Sequence, residues 1–270
     1  MPKVKLNDIS LYYEVYGKGA PLLLIGGLGS DSSSWLGVVK KLSSHFKTII
    51  FDNRGTGRSS AMKKPHTIHH MAEDAVRLLD YLKIKQAHVI GHSMGGYIAQ
   101  ELAMSYPERV AKLVLVSTAT VSSKKNNVLF KDIYTQLKRQ GYCREWFERW
   151  VPLLFSKKII NDSNFIETFI KNSIEYPYLQ KADGFKSQID AIASFDARAK
   201  IGTIKAKTLI LEGRDDILIT PQEAGALAKR IHKSVFKLLD GVAHSIHIEN
   251  PKLFTSAVMD FLKSKKLEKI

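Results

Sequence analysis

The chain has 270 residues, 44% of them hydrophobic and 25% charged, with 41 Lys and Arg against 26 Asp and Glu and a formal net charge of +15. That length fits one large or two small domains of roughly 100–200 residues each, with apolar content enough for a sizeable core. No apolar run approaches the ~18 residues of a membrane helix, the start MPKVKLNDIS offers no stretch suited to a secretory leader, and the one cysteine, Cys143, leaves no internal disulfide. A soluble, cytoplasmic protein is the expectation. The lysines are dispersed, with pairs at Lys40-Lys41, Lys63-Lys64, Lys124-Lys125, Lys157-Lys158 and Lys265-Lys266. No basic block is interleaved with aromatics in the manner of a strand-binding groove. The charge therefore reads as a solvated surface, with neither nucleic acid nor membrane as partner.

In chain order, VKL and ISLYYEVY flank the turn pair Asn7-Asp8 and predict a hairpin. PLLLI is a short, continuous apolar run, the mark of a strand buried on both faces. It opens into GGLGSD (26–31), a glycine-rich turn of the kind whose backbone N–H groups hold an anion. A helical stretch with Trp35, Val38, Val39 and Leu42 follows, then the strand TIIFD (48–52) and the turn NRGTGRSS. Met71, Ala75, Leu78, Leu79 and Leu82 recur at helical spacing over 68–83. AHVIG (87–91) reads as a strand, 94–106 as a helix stopped by Pro107, and RVAKLVLVST (109–118) as the sixth strand.

The alternation predicts an α/β fold with a mostly parallel, doubly wound sheet and helices on both faces. It breaks over 120–205, where amphipathic stretches at 126–140, 142–155, 158–175 and 178–195 follow one another. Strand grammar returns with KTLILEG (207–213), helix 221–232, strand SVFKLLD (234–240) and helix 250–266. The expected organisation is a core of 1–119 and 206–270, with 120–205 as a helical cap inserted after the sixth strand.

The chemistry centres on VIGHSMGG (89–96), which places Gly-x-Ser-x-Gly between a predicted strand and a predicted helix. On so tight a turn the backbone is strained and crowded, and small residues at 91 and 95 leave the Ser93 hydroxyl free above the sheet. A serine hydroxyl is a weak nucleophile and needs a base. Of nine histidines, His45 and His88 border strands, His92 sits beside the serine and points elsewhere, and His232 ends a helix. A metal site of His66, His69 and His70 lacks a supporting carboxylate or cysteine. His244 and His247 lie in the loop after the last strand, at the sheet end where open α/β folds place their sites. His244, at the mouth of that loop, is the preferred base, and His247 reads as a packing residue. The base needs an acid to orient it, and the strand TLILEG ends in Arg214-Asp215-Asp216. Either aspartate fits the order Ser, Asp, His.

GGLGSD at 26–31, FDNRGTGRS at 51–59, GHSMGG at 91–96, LEGRDD at 211–216 and GVAHSIHIENP at 241–251, in this order, resemble the small carboxylesterase branch of the α/β-hydrolases. That branch includes 3-oxoadipate enol-lactonases, pimeloyl-carrier methyl ester esterases and cofactor-free haloperoxidase-like esterases. The resemblance covers nearly the whole chain and is weakest over 120–205. It implies the α/β-hydrolase fold, Asp216 as the acid, His244 as the base, and an oxyanion hole built from the backbone N–H groups of Leu28 and Met94. It implies no metal and no organic cofactor. The family's usual His-Gly is replaced by Gly26-Gly27, which bears on how the loop is braced. Asp52, Arg54 and Ser59 match the family's Asp-x-Arg-Gly-x-Gly-x-Ser turn, and they read as braces.

GGLGSD lacks both the third glycine of Gly-x-Gly-x-x-Gly and the Gly-Lys-Ser/Thr ending of a phosphate loop, which argues against a nucleotide. Ser93 stands where a haloalkane dehalogenase would need aspartate. The expected function is therefore a serine hydrolase cleaving a carboxylic ester or lactone of a small to medium acyl substrate through an acyl-enzyme. The alternatives are a catalytically silent binding protein of the same fold, or an esterase acting on an acyl chain carried by an acidic carrier protein. The cap is expected to line an apolar pocket with side chains such as Trp146, Trp150, Phe155 and Phe165. Its excess of Lys and Arg over Asp and Glu would suit a carboxylate-bearing ester or an acidic carrier. The chain is expected to be a monomer or homodimer.

Overall fold

The computed structural model describes residues 2–6, 8–60 and 65–264. Asn7 of the expected hairpin turn, the Lys63-Lys64 and Lys265-Lys266 pairs, and the last two residues of the helix expected over 250–266 lie outside them. Among the described residues the strands are β1 (Lys3–Leu6), β2 (Ile9–Tyr16), β3 (Ala20–Ile25), β4 (Phe46–Phe51), β5 (Ala87–His92), β6 (Val110–Val116), β7 (Lys207–Gly213) and β8 (Ser234–Leu239). They form one sheet in the order β1-β2-β4-β3-β5-β6-β7-β8. β2 runs antiparallel to β1 and β4, and β3 to β8 are mutually parallel. The chain thus has the expected α/β-hydrolase fold.

Strand polarity explains the sequence runs. In β3, Leu22 and Leu24 join one apolar cluster, with Trp35, Val38 and Phe254, while Leu23 and Ile25 join another, with Met71, Leu78 and Ile98. Alternate side chains of a strand point to opposite faces. With helices on both faces, every position is covered and the run is apolar throughout. The helices are α1 (Leu36–Ser43), α2 (Ile68–Tyr81), α3 (Met94–Ser105), α4 (Lys124–Gln140), α5 (Arg144–Trp150), α6 (Lys157–Ile160), α7 (Ser163–Ile174), α8 (Ala182–Ser194), α9 (Pro221–Arg230), α10 (Ile246–Glu249) and α11 (Pro251–Lys263).

The helices between β6 and β7 are more broken than the periodicity predicts. The expected stretch 158–175 divides into α6 and α7, because the Asp162 side chain accepts the Phe165 N–H at 3.1 Å and starts a new helix. The expected stretch 142–155 ends as a 3₁₀ turn, Val151–Leu153, around Pro152. α8 begins at Ala182 rather than 178. The whole segment leaves and rejoins the sheet at one place, where Ala197 N donates to Thr120 O at 2.9 Å and Val121 bridges Asp196. Among the described residues no helix is long and apolar enough to cross a membrane.

The turn FDNRGTGRSS fixes the loops above the sheet. Asp52 Oδ1 accepts from Ser32 N (2.9 Å) and Ser32 Oγ (2.6 Å), and its Oδ2 from Arg58 N (2.7 Å). Ser59 Oγ donates to Asp52 O at 2.6 Å and accepts from Tyr12 N at 2.9 Å. Arg54 reaches down to α2, with Nε and Nη2 donating to the two Asp74 oxygens at 2.5 and 2.6 Å. Both side chains are almost wholly buried. Removing one member of a buried pair strands the other charge. Asp74→Ala is therefore expected to lose about 3–5 kcal/mol of unfolding free energy, read from urea denaturation midpoints at constant slope.

Candidate active site

The parallel pairing of β3 with β5 aligns Ile25 with Gly91. β4 lies on the other side of β3, so the direction of winding reverses between β3 and β5. The loops after these two strands therefore rise side by side, at the position where doubly wound sheets bind ligands. Ser93 stands at the top of β5 with φ 53° and ψ −117°, a left-handed conformation costly for a side-chain-bearing residue. Its N–H donates to Val116 O at 2.9 Å, and its carbonyl accepts from Thr118 Oγ1 at 3.0 Å. The flanking glycines are steric requirements. A Cβ on Gly91 would lie 2.2 Å from Gly95 O, and one on Gly95 would lie 2.1 Å from Ile25 O.

Of the two candidate acids, Asp215 is exposed and Asp216 is buried beside the histidine loop. His244 Nδ1 lies 2.7 Å from Asp216 Oδ2. The other oxygen, Oδ1, accepts the N–H groups of Leu218 (2.8 Å) and Ile219 (3.0 Å). An ionised carboxylate only accepts, so Nδ1 carries the proton and Nε2 is left as an acceptor. The loop holding His244 is stapled by Glu249, whose Oε2 accepts Ala243 N at 3.0 Å, and by Ser245 N donating to Leu154 O at 2.9 Å.

The other histidines are accounted for by packing. His247 stacks on Trp35 with centroids 4.4 Å apart and sits 4.6 Å from the His92 ring. His92 does not point away from the site as expected: its Nε2–H donates to His244 O at 3.0 Å. His69 pairs with Glu101, and His70 caps α2 through Thr67. His66 is buried, and its pKa is pushed down to about 4 by burial and then by the Arg54 charge. Among the described residues no three His, Cys, Asp or Glu side chains are grouped to hold a metal ion.

Leu28 lies in the loop after β3. Met94 is the first residue of α3, where N–H groups lack intrahelical acceptors. That loop is braced without the family's usual histidine. Asn53 Nδ2 donates to Gly26 O at 3.1 Å, and Gly29 N donates to Gln188 Oε1 of α8 at 3.2 Å. Gln188 Nε2 in turn donates to Thr56 Oγ1 at 2.6 Å. Gln180 Nε2 donates to Gly55 O at 3.1 Å, and Tyr176 OH donates to Asp31. The helical segment thus grips both loops.

A cavity of about 460 Å³ opens onto Ser93, His244 and Leu28. Trp146 and Trp150 line it as expected, but Phe155 and Phe165 do not. These two pack edge-to-face on each other at 5.5 Å, behind Phe169, which does reach the cavity. Phe130, Tyr142, Phe147, Tyr176, Tyr178 and Phe185 are further aromatics of the lining, and the helical period alone does not say which side of α4 to α8 faces inward. Glu212 is a second functional candidate missed in the sequence. It is fully buried on β7, and burial and the neighbouring Asp216 carboxylate push its carboxyl well above the ordinary range. Its signal was there to see, as a lone acid inside the apolar run TLILEG.

Residues 20–251 match the family model described as the alpha/beta hydrolase fold. The chain belongs to the α/β-hydrolase fold family. It is 30% identical over 264 residues to RutD of Azorhizobium caulinodans, provisionally named a carbamate hydrolase, covering 97% of this chain and 98% of that protein. The crystal structure of the enol-lactonase from Burkholderia xenovorans LB400 superposes with a TM-score of 0.89 at 28% identity, covering 97% of this chain and all of the other. A thermophilic esterase from Thermogutta terrifontis gives 0.87 at 26% identity, over 97% of this chain and 98% of the other.

The buried histidines make a pH prediction. Burial, then the His244 ring, push His247 down to about 3, and burial with both neighbouring rings pushes His92 well below the ordinary value. The unfolded chain therefore takes up protons near pH ~6.5 that the folded chain refuses, so stability present above that pH is lost as pH falls toward the folded values. The slope is about 1.4 kcal/mol per pH unit for each such histidine. His247→Phe is expected to flatten the acid limb of a stability-versus-pH series by about one such increment between pH ~6 and ~4.

Proposed function

We propose that the chain is a serine hydrolase of carboxylic esters or lactones, with Ser93 as nucleophile, His244 as general base and acid, and Asp216 as the orienting carboxylate. The observation that carries this reading is the strained Ser93 at the strand-to-helix turn, sharing a cavity wall with a histidine whose Nδ1 is held 2.7 Å from a buried aspartate. His244 Nε2 removes the hydroxyl proton as Ser93 Oγ attacks the carbonyl carbon. The Leu28 and Met94 N–H groups receive the developing oxyanion, aided by the positive end of α3. His244 then gives its proton to the leaving alkoxide, leaving an acyl-enzyme. Water enters, loses a proton to the same nitrogen, and releases the acid with Ser93 restored. The α4 to α8 segment acts as a cap that shields the acyl-enzyme and shapes the pocket. No step uses a metal ion or an organic cofactor.

Carbamate cleavage is a second reading, favoured by the identity to RutD. Its carbonyl would meet the same groups, with a nitrogen or oxygen leaving group protonated by His244. A panel of p-nitrophenyl esters, lactones and carbamates ranks the two readings, and a silent binding protein would turn over none of them.

Ser93→Ala is expected to abolish labelling by a fluorophosphonate probe and to lower kcat on the order of 10⁴-fold or more. Equal labelling of wild type and variant would overturn the assignment. Asp216→Asn should cost kcat about 10⁴-fold by favouring the wrong tautomer, while Asp215→Asn stays near wild type. Gln188→Leu removes the acceptor for Gly29 N–H. It should lower kcat about tenfold with a smaller change in KM, the pattern of a displaced oxyanion loop rather than of lost substrate contacts.

A further inference from the structure

The charge of the chain and the charge of its cavity disagree. The whole sequence carries a formal +15, and the helical segment over the site shares the excess. Yet among the described residues none of the cavity's lining side chains is Lys or Arg, and the one carboxylate among them is Asp31. Asp31 is buried. Its Oδ1 accepts Ser33 N at 2.9 Å, Tyr176 OH donates to its Oδ2, and Arg58 Nη2 lies 3.8 Å from that same oxygen. Arg58 is shared between Asp31, at that longer distance, and Asp52, at the shorter one. It donates to Asp52 at 3.0 Å and stacks over Tyr12 at 3.8 Å, and it is not part of the cavity wall. A carboxylate entering the cavity would be desolvated with no cation to receive it and a like charge on the wall.

The other wall has its own chemistry. Phe185 stands against the loop after β3, since a Cβ on Gly29 would come 3.6 Å from its ring. Trp146 and Trp150 meet the same ring edge-on at 6.2 and 6.5 Å. These rings offer faces and edges suited to a second aromatic group, immediately beside the proposed oxyanion site. The lining also includes the uncharged polar side chains Ser33, Ser34, Asn172 and Ser173.

We infer that the site selects uncharged esters bearing an aryl or similarly broad apolar group, and that Asp31 is a specificity-determining residue that rejects carboxylate-bearing substrates. This rests on the serine-hydrolase reading. It runs against the carboxylate-bearing ester or acidic carrier that the basic composition alone would favour, because among the described residues no lysine or arginine lines the cavity.

Three p-nitrophenyl esters test it: the 3-phenylpropionate, the hemiglutarate, and the uncharged carboxamide of the hemiglutarate. Wild type is expected to favour phenylpropionate over hemiglutarate by about 10²-fold in kcat/KM. It should favour the carboxamide over the hemiglutarate by about tenfold. Asp31→Asn keeps the hydrogen-bonding shape but not the charge, and should shrink the second ratio at least about fivefold. Trp150→Leu should shrink the first. A wild type that takes the hemiglutarate as readily as its carboxamide, or an Asp31→Asn protein with an unchanged ratio, overturns the inference. The same ranking is read without turnover in Ser93→Ala, from quenching of tryptophan fluorescence by 3-phenylpropionamide against glutarate. Tighter glutarate binding there overturns the inference too. Absence of fluorophosphonate labelling in wild type overturns the serine-hydrolase reading instead, and the binding comparison still decides the cavity's preference.

Discussion

Gly95 meets the end of β3 so closely that a single methyl there would lie 2.1 Å from the Ile25 carbonyl oxygen. That contact presses the start of α3 against the loop that follows β3, and the geometry of the site hangs on it. Two residues before Gly95, Ser93 takes a backbone conformation that costs on the order of 1–3 kcal/mol. The cost is offset by hydrogen bonds on both backbone groups of the residue, its N–H to the Val116 carbonyl and its carbonyl from the Thr118 hydroxyl. A serine placed on a relaxed turn would be free to rotate away from the loop. Here it is fixed within a wall that also holds Leu28 and His244.

The second half of the site is built on a different principle, burial of titratable groups. Asp216 is saturated by two backbone N–H groups and one imidazole. Burial and the neighbouring Asp216 push the Glu212 carboxyl well above the ordinary carboxylate range. Burial likewise pushes His92 and His247 well below the ordinary imidazole range. Environment sorts groups of the same chemical type into different roles.

Much of this was legible in the chain. The Gly-x-Ser-x-Gly run, the strand grammar around it and the order of serine, acid and histidine each follow from local rules. β7, for instance, is found over the residues its apolar run marks, 207–213. What escaped is set by tertiary contact. The break in 158–175 is an exception, since Asp162 capping α7 is a local signal that the apolar period masks. The adjacency of His92 to Ser93 in the sequence says nothing of the His244 carbonyl, which folding brings to its ring. Phe155 and Phe165 are aromatics of the same segment as Trp146 and Trp150, and only the packing around α7 decides that they face each other instead of the cavity.

The bracing of the loop after β3 shows how the two layers depend on each other. With glycine at 26 no side chain of the loop's own holds its first turn, and the bonds come from outside it. Asn53 supplies one from the neighbouring core turn, and Gln188 supplies another from α8. Gln188 also binds Thr56, as Gln180 does at 3.1 Å. α8 lies so close to that turn that a Cβ on Gly184 would fall 2.2 Å from Gly55 O. The helical segment is therefore tied both to the core turn, at Gly55 and Thr56, and to the loop after β3, at Gly29. A change in how α8 packs would move the aromatic wall, through Phe185, and the loop, through Gly29, together. In this chain the shape of the pocket and the alignment of the loop that faces Ser93 are one mechanical unit, and divergence in one constrains the other.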